Sequence, residues 1–525
     1  MGESQSRSFQ QAGWRMWWSQ GKAQIGDSGL HLILGAVAVL LAYALPFLMN
    51  SAGRAPFLNV AVHDEKIYLA RVVDAYRGGS LGNPYLTEHQ NAVRFMPELA
   101  ERLLALAAHA SGLQPLFVVG ISRFVLPVLI YLFLWSLARG LGLAPRWAML
   151  AAMLCPLLPS ISWLAGLSDG PTFLRYFRAI SPGFYVMLLV VALRLVLSAW
   201  QKPSWWTAVL GGASLGLLFY TPPYFWSFAL LGVVGLTLSA CGRVRMAMLL
   251  LIAVALLVAL PSLSSSLQRA QDPDVQATLA RLDLLIPGRS PDVYVPRSFV
   301  LAMLILVPLW LWRRKLGASG RFLLPFICVG TFLMVQNVVT NRHLQSYHWI
   351  ECLIPTWALA TGAFLQQLRQ PARSIWVNAV IGVVLAGALF TQAAGYLQWE
   401  TAKKENTEFW ALDARMPRTL LWLNQHTPNN SVVFADEDIM DSLVLFTHNK
   451  VYWAYYGSQH VVSESEVQAR TQSLESFYAE GAANLPFRVD FYLGTGPECQ
   501  SLRTGRLLYS DGSERTCVTS FSTMR

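Results

Sequence analysis

Apolar runs long enough to cross a bilayer recur along most of the chain. They cover 30–49, 116–137, 147–165, 183–200, 205–221, 223–241, 245–262, 298–312, 322–340, 349–366 and 375–396. Each approaches the roughly 20 residues that span a ~30 Å hydrocarbon core. The pattern predicts an α-helical polytopic membrane protein with about 11 transmembrane helices. Pro222 and Pro223 interrupt the 205–241 region, which reads as a broken hairpin. The first run is too long for the apolar part of a signal peptide and lacks a small-residue cleavage site, so it is expected to remain as the first helix.

Between these runs lie two long polar segments. The first, 50–114, contains KIYLARVVDAYRGG and PELAERLLALAAHASG, each with apolar residues at helical spacing and each closing on Gly. Such amphipathic helices suit the membrane surface. The second, 264–297, mixes charged residues with Pro273, Pro287, Pro291 and Pro296, and is expected to lie over the first and roof a cavity between the helices.

After Tyr396 the pattern changes to that of a small α/β domain, 397–525. TEFWALDARMPRTLLWLNQHTP, DIMDSLVLFTH and SESEVQARTQSLESFYAEGA read as helices, the last opened by a Ser463–Glu466 capping box. SVVFAD, VYWAYY, FRVDFYLGTG and RLLYSD read as strands. Their alternation predicts a partly parallel sheet covered by helices.

Composition supports a bilayer as the solvent for most of the chain: 13% of the 525 residues are charged, against roughly 25% in a soluble domain. Charge also orients the helices. With 1–29 in the cytoplasm, the inner segments hold Arg7, Arg15 and Lys22; Arg139 and Arg146; Lys202; Arg243 and Arg245; Arg313, Arg314, Lys315 and Arg321; and Arg369 and Arg373. An odd number of spans then puts both long loops and the C-terminal domain outside. From Leu397 to Arg525, 11 Lys and Arg stand against 16 Asp and Glu, a net of −5, so with +10 for the whole chain the remainder carries +15. The basic character is therefore topological. Neither a basic stripe with interleaved aromatics, nor zinc-finger or helix-turn-helix spacing, nor a GxGxxG or Walker loop points to nucleic acid or nucleotide. Cys499 and Cys517 are the cysteines of the tail and form a disulfide candidate in an oxidising compartment, with two inert thiols as the alternative.

Several clusters carry candidate chemistry. VHDEKIY sets His63, Asp64 and Glu65 beyond the first run. Adjacent carboxylates point in different directions, so one can face a substrate as general base while its neighbour packs. The same residues also suit a solvated cap on the helix that follows. NRHLQSYHWIE crowds Arg342, His343, Tyr347, His348 and Glu351 at the end of one run and the start of another; Arg with His suits a phosphate, and interfacial snorkelling is the alternative. SDGPTFLRYFRAISP puts Arg175 and Arg178 on one helical face, fit for an anionic headgroup or for pairing with Asp169. FYTPPYFW exposes Tyr220 and Tyr224 at a helix break, which reads first as structural.

The layout resembles the GT-C superfamily of polytopic glycosyltransferases. Within VHDEKIYLARVVDAYRGGSLGNPYLTEH, the acidic pair, the aromatic three residues on, the Gly-rich stop and the NPY turn look like that superfamily's first-loop pattern. NRHLQSYHW and WLNQHTPNNSVVFAD also look like bacterial members of unassigned specificity. The resemblance implies an integral protein of the bacterial cytoplasmic (inner) membrane. It would move a sugar from a polyprenyl-phosphate-linked donor to a glycan, glycolipid or protein acceptor on the outer face. It implies Asp64 as catalytic base, with Glu65 the nearest alternative. Arg342, His343, His348, Arg175, Arg178 and Tyr347 are assigned to substrate or phosphate binding by their chemistry rather than by a motif. Direct displacement at the anomeric carbon predicts inversion. No cofactor is required; a divalent metal bridging Asp64 or Glu65 to the phosphate is compatible with the same site. A transporter or flippase of lipid-linked sugars and a non-catalytic envelope assembly protein are the competing readings.

Overall fold

The structure is a computed structural model that describes residues 29–44, 65–94, 96–157, 176, 178–282, 284, 286–289, 295–344, 347–368, 417–480, 485–495, 506–512 and 515–521. In each apolar run from 30–49 to 349–366, the described residues fall mainly on helices. These are α1 (Gly29–Ala44), α4 (Pro115–Gly140), α5 (Pro145–Leu157), α6 (Tyr185–Gln201), α7 (Trp205–Leu217), α8 (Pro223–Ser239), α9 (Gly242–Ala270), α11 (Val295–Trp312), α12 (Gly317–Met334) and α13 (Tyr347–Gln367). The run 375–396 lies outside the described residues. Among those described, Pro115–Gly140, Ala179–Gln201, Gly242–Ala270 and Gly317–Met334 are long and apolar enough to cross a membrane, and shorter apolar helices pack beside them. Leu257, Leu260 and Leu267 of α9 are more than half exposed, as befits a face turned to lipid. At 1.5 Å per residue, the 29 residues of α9 run about 43 Å, so its ends project beyond a ~30 Å core.

Small residues bring helices close. A Cβ on Gly212 would lie 2.5 Å from the Leu251 carbonyl oxygen, and one on Gly216 would lie 2.6 Å from Val258 Cβ. The G-x-x-x-G face of α7 therefore lets α9 approach backbone to backbone.

The first long loop contains the two amphipathic helices that its pattern predicts, α2 (Glu65–Tyr76) and α3 (Leu99–Ser111). Gly78 follows α2 at φ +80° and Gly112 caps α3 at φ +67°, a conformation that costs other residues energy.

The C-terminal domain is a five-stranded sheet of order β4-β3-β5-β7-β6. Its strands are β3 (Val432–Phe434), β4 (Lys450–Val451), β5 (Phe491–Thr495), β6 (Arg506–Asp511) and β7 (Thr516–Ser520). β3 pairs in parallel with β4 and β5, while β7 runs antiparallel to β5 and β6. Helices α14 (Pro417–His426), α15 (Glu437–Phe446) and α16 (Glu464–Glu480) accompany it, giving the mixed sheet expected.

Details of the domain differ from the sequence reading. VYWAYY is strand only at its start, because Tyr455–Ser458 forms a helical turn. β7 was not anticipated, since TCVTS lacks a long apolar period. The capping box is half formed: Ser463 Oγ accepts from Glu466 N at 3.3 Å, but the Glu466 carboxylate turns to His89 and Arg470, each at 2.8 Å.

The domain sits on the first loop. Lys450 Nζ meets Asp74 at 3.2 Å and donates to the Pro84 carbonyl at 2.8 Å. Asn83 Nδ2 donates to the Gly457 carbonyl at 2.9 Å, Arg470 pairs with Glu88 at 3.0 Å, and Val451 N donates to the Tyr85 carbonyl at 3.0 Å. The last contact covers the edge of β4.

The second loop touches the first at Arg269, which donates to the Arg94 carbonyl at 2.7 Å. Residues of both loops, Arg94 and Glu98 from the first and Ser265, Arg269 and Asp272 from the second, line one cavity. Within α10 (Pro273–Arg281), Arg281 meets Glu464 at 2.7 Å, and β1 (Ile286–Pro287) pairs antiparallel with β2 (Arg342–His343).

Candidate active site

Two buried arginine–carboxylate pairs fix α2. Glu65, its first residue, accepts from Arg123 Nη2 at 2.9 Å, with both side chains almost wholly buried. Two turns later Arg71 donates through Nε to Glu101 of α3 at 2.8 Å, and through Nη2 to the Pro97 carbonyl at 2.7 Å. Burial acts against the Arg71 charge, but Glu101 outweighs it and holds the guanidinium above its ordinary pKa. A charge removed from water persists only with such a partner. The N-terminus of α2, which follows His63 and Asp64 in the chain, is therefore tied to the third turn of α4. His63 and Asp64 themselves lie outside the described residues.

The docked domain closes over this arrangement. His460 is fully buried, its ring centroid 6.2 Å from that of Tyr85. Burial, reinforced by the charges of Arg71 and Lys450, pushes its pKa down to about 3, so the imidazole is neutral. Burial likewise lowers the Lys450 ammonium, with Asp74 acting in the opposite sense.

A second polar group gathers at the start of α13. His348 Nδ1 lies 3.5 Å from Glu351, and the His348 ring stands 4.7 Å from Tyr224 of α8. Tyr224 also meets Trp349 edge-on at 5.0 Å. Arg342 is exposed on β2, its carbonyl held by Gln336 Nε2 at 2.9 Å. The backbones of His343 and Tyr347 belong to β2 and α13, while their side chains lie outside the described set. Arg178 precedes a π-helical turn, Ala179–Phe184, and its carbonyl accepts from Gly183 N at 3.0 Å. Arg175 lies outside the described residues. Among the described candidates, Glu65 stands at the foot of α2, Arg342 and His348 stand on β2 and at the head of α13, and Arg178 lies apart before Ala179. Cys517 is disulfide-bonded, and Cys499 lies outside the described residues.

Sequence reasoning missed Arg123, Arg71, Glu101 and His460. Arg123 had a signal: an ionisable residue inside an apolar run usually faces a partner. Arg71 and Glu101 sit in amphipathic helices whose pattern does not reveal the pairing, and His460 stands far from any motif.

No family model matches the sequence, and no curated protein matches it either. Solved structures match it in fold. The oligosaccharyltransferase of Archaeoglobus fulgidus in its apo form superposes with a TM-score of 0.54 at 11% identity, over 89% of this chain and 69% of that one. ArnT from Cupriavidus metallidurans, bound to undecaprenyl phosphate, gives 0.54 at 14% identity over 94% of this chain and 98% of that one. The mycobacterial arabinofuranosyltransferase AftD gives 0.56 at 14% identity over 93% of this chain but 39% of its own. The chain has the GT-C fold that these proteins share.

Proposed function

We propose that this protein is an inverting membrane glycosyltransferase. It takes a sugar from a polyprenyl-phosphate donor and passes it to an acceptor on the outer face of the cytoplasmic membrane. The observation that carries this reading is the fold match over nearly the full length of both chains with a protein bound to undecaprenyl phosphate. The geometry around α2 supports Asp64 as base. Glu65 is engaged by Arg123 at 2.9 Å and serves as an anchor, which leaves its neighbour to take the proton of an attacking hydroxyl. Arg342 and His348, with His343, Tyr347, Arg175 and Arg178, supply the donors and positive charge for the carrier phosphate. Their charge stabilises the leaving group, so the reaction has no obligatory cofactor.

Mass spectrometry of lipid-linked sugars and surface glycans tests this in a strain lacking the protein. The expected result is the loss of one sugar from a surface glycan together with accumulation of its lipid-linked donor, restored by the wild type but not by Asp64→Asn. Unchanged glycans, or restoration by Asp64→Asn, would overturn it.

A further inference from the structure

The helix break at Tyr220–Pro223, to which the transferase reading gives no role, forms one wall of a separate cleft. A 3-10 turn, Leu218–Tyr220, joins α7 to α8 and is pinned to α9. Tyr220 donates its hydroxyl to the Val258 carbonyl at 3.2 Å, and Ser262 Oγ donates to the Phe219 carbonyl at 2.6 Å. Tyr224 and Trp226 stand two residues apart on α8 and so point about 200° apart. Tyr224 serves His348, whereas Trp226 stacks on Phe219 with centroids 4.6 Å apart and planes at 14°.

Trp226 and Phe219 line a cavity of about 820 Å³, bounded by Asn91–Arg94 and Met96–Glu98 of the first loop and the last turns of α9. The volume falls within the roughly 300–1,000 Å³ of small-molecule sites. Of the residues that line the cavity, Arg94 and Arg269 carry two positive charges and Glu98 and Asp272 two negative ones. Glu98 receives Arg94 at 3.0 Å and Arg102 at 2.8 Å. Arg269 donates to the Arg94 carbonyl at 2.7 Å and the Ser265 carbonyl at 3.1 Å, and Asp272 caps α10 by accepting from Asp274 N at 2.9 Å. These engaged charges give an anion little to gain by entering. An aromatic stack rimmed by serine hydroxyls and the Asn91 amide instead suits a sugar ring, whose C–H face lies on the indole while its hydroxyls meet the rim. The cleft is also coupled to α2, because Arg71 holds the Pro97 carbonyl in its wall.

The geometry points to this cleft as the binding site of an uncharged saccharide, the acceptor glycan. The acceptor role rests on the transferase reading; the binding does not. Full-length protein in nanodiscs is applied to an array of neutral and anionic oligosaccharides, and the ligands found are titrated by saturation-transfer NMR. Neutral oligosaccharides bind, and Trp226→Ala weakens them about tenfold, with Asn91→Ala, at an exposed position, as a second variant that spares folding. The assay reads binding without transfer, so a failure of the proposed base leaves this result standing. Absence of any saccharide ligand, preference for anionic ones, or undiminished binding by both cleft variants overturns the proposal. A saccharide that binds here but is never glycosylated overturns the acceptor role.

Discussion

Glu65 and Arg123 form a buried ion pair at 2.9 Å, joining the first turn of a surface helix to the interior of a membrane helix. Removing one partner leaves the other charge buried. Arg123→Gln is expected to cost about 3–5 kcal/mol, and the double variant with Glu65→Gln less than the sum of the single ones. Thermal unfolding of the three variants in nanodiscs checks this; additive losses would mean the pair is not coupled.

Docking of the C-terminal domain depends on Lys450, which reaches both Asp74 and the Pro84 carbonyl. Lys450→Ala leaves Asp74 its hydrogen bond from Leu81 N but removes the ammonium, and is expected to weaken docking by about 2 kcal/mol. Limited proteolysis reads this out: cleavage between the membrane helices and the domain quickens in the variant, and Asp74→Asn produces a smaller change in the same direction.

Stability should fall in mild acid because of His460. Its folded pKa is depressed from 6.5 to about 3, so below pH 6.5 the unfolded chain takes up a proton that the folded one refuses. Stability is full above pH 6.5 and drops by about 1.4 kcal/mol per pH unit beneath it. Glu466, also depressed, by its bonds to His89 and Arg470 despite the opposing effect of burial, adds to the loss only below about pH 4.5. Thermal unfolding between pH 5 and 7, compared for the wild type and His460→Gln, checks this: the substitution should flatten the slope.

In the proposed reaction arginine and histidine neutralise the leaving phosphate, and a metal is expected to be dispensable. Transfer measured with excess EDTA should proceed at the rate seen with magnesium. A loss restored by a divalent ion would place a metal at the acidic pair.

The sequence made legible what repeats locally. Apolar runs marked the helices of the bundle, and the spacing in KIYLARVVDAY marked α2 before its partners were known. Contacts between distant segments left no such trace: Lys450 and Asp74 are 376 positions apart, and a salt bridge has no period. Arg123 was hidden because one charge barely alters the mean hydropathy of the run around it. The opposite directions of Tyr224, toward His348, and Trp226, onto Phe219, follow from their spacing on α8, but their partners lie in distant segments that no local pattern marks.

The central claim is that Asp64 takes the proton while Glu65 anchors α2. Single-turnover transfer from a purified polyprenyl-phosphate sugar, measured for Asp64→Asn with lipid binding followed in parallel, tests it most directly. The account predicts a loss of about 10²–10⁴-fold in rate with donor binding and folding intact. A variant that transfers sugar at the wild-type rate would contradict it.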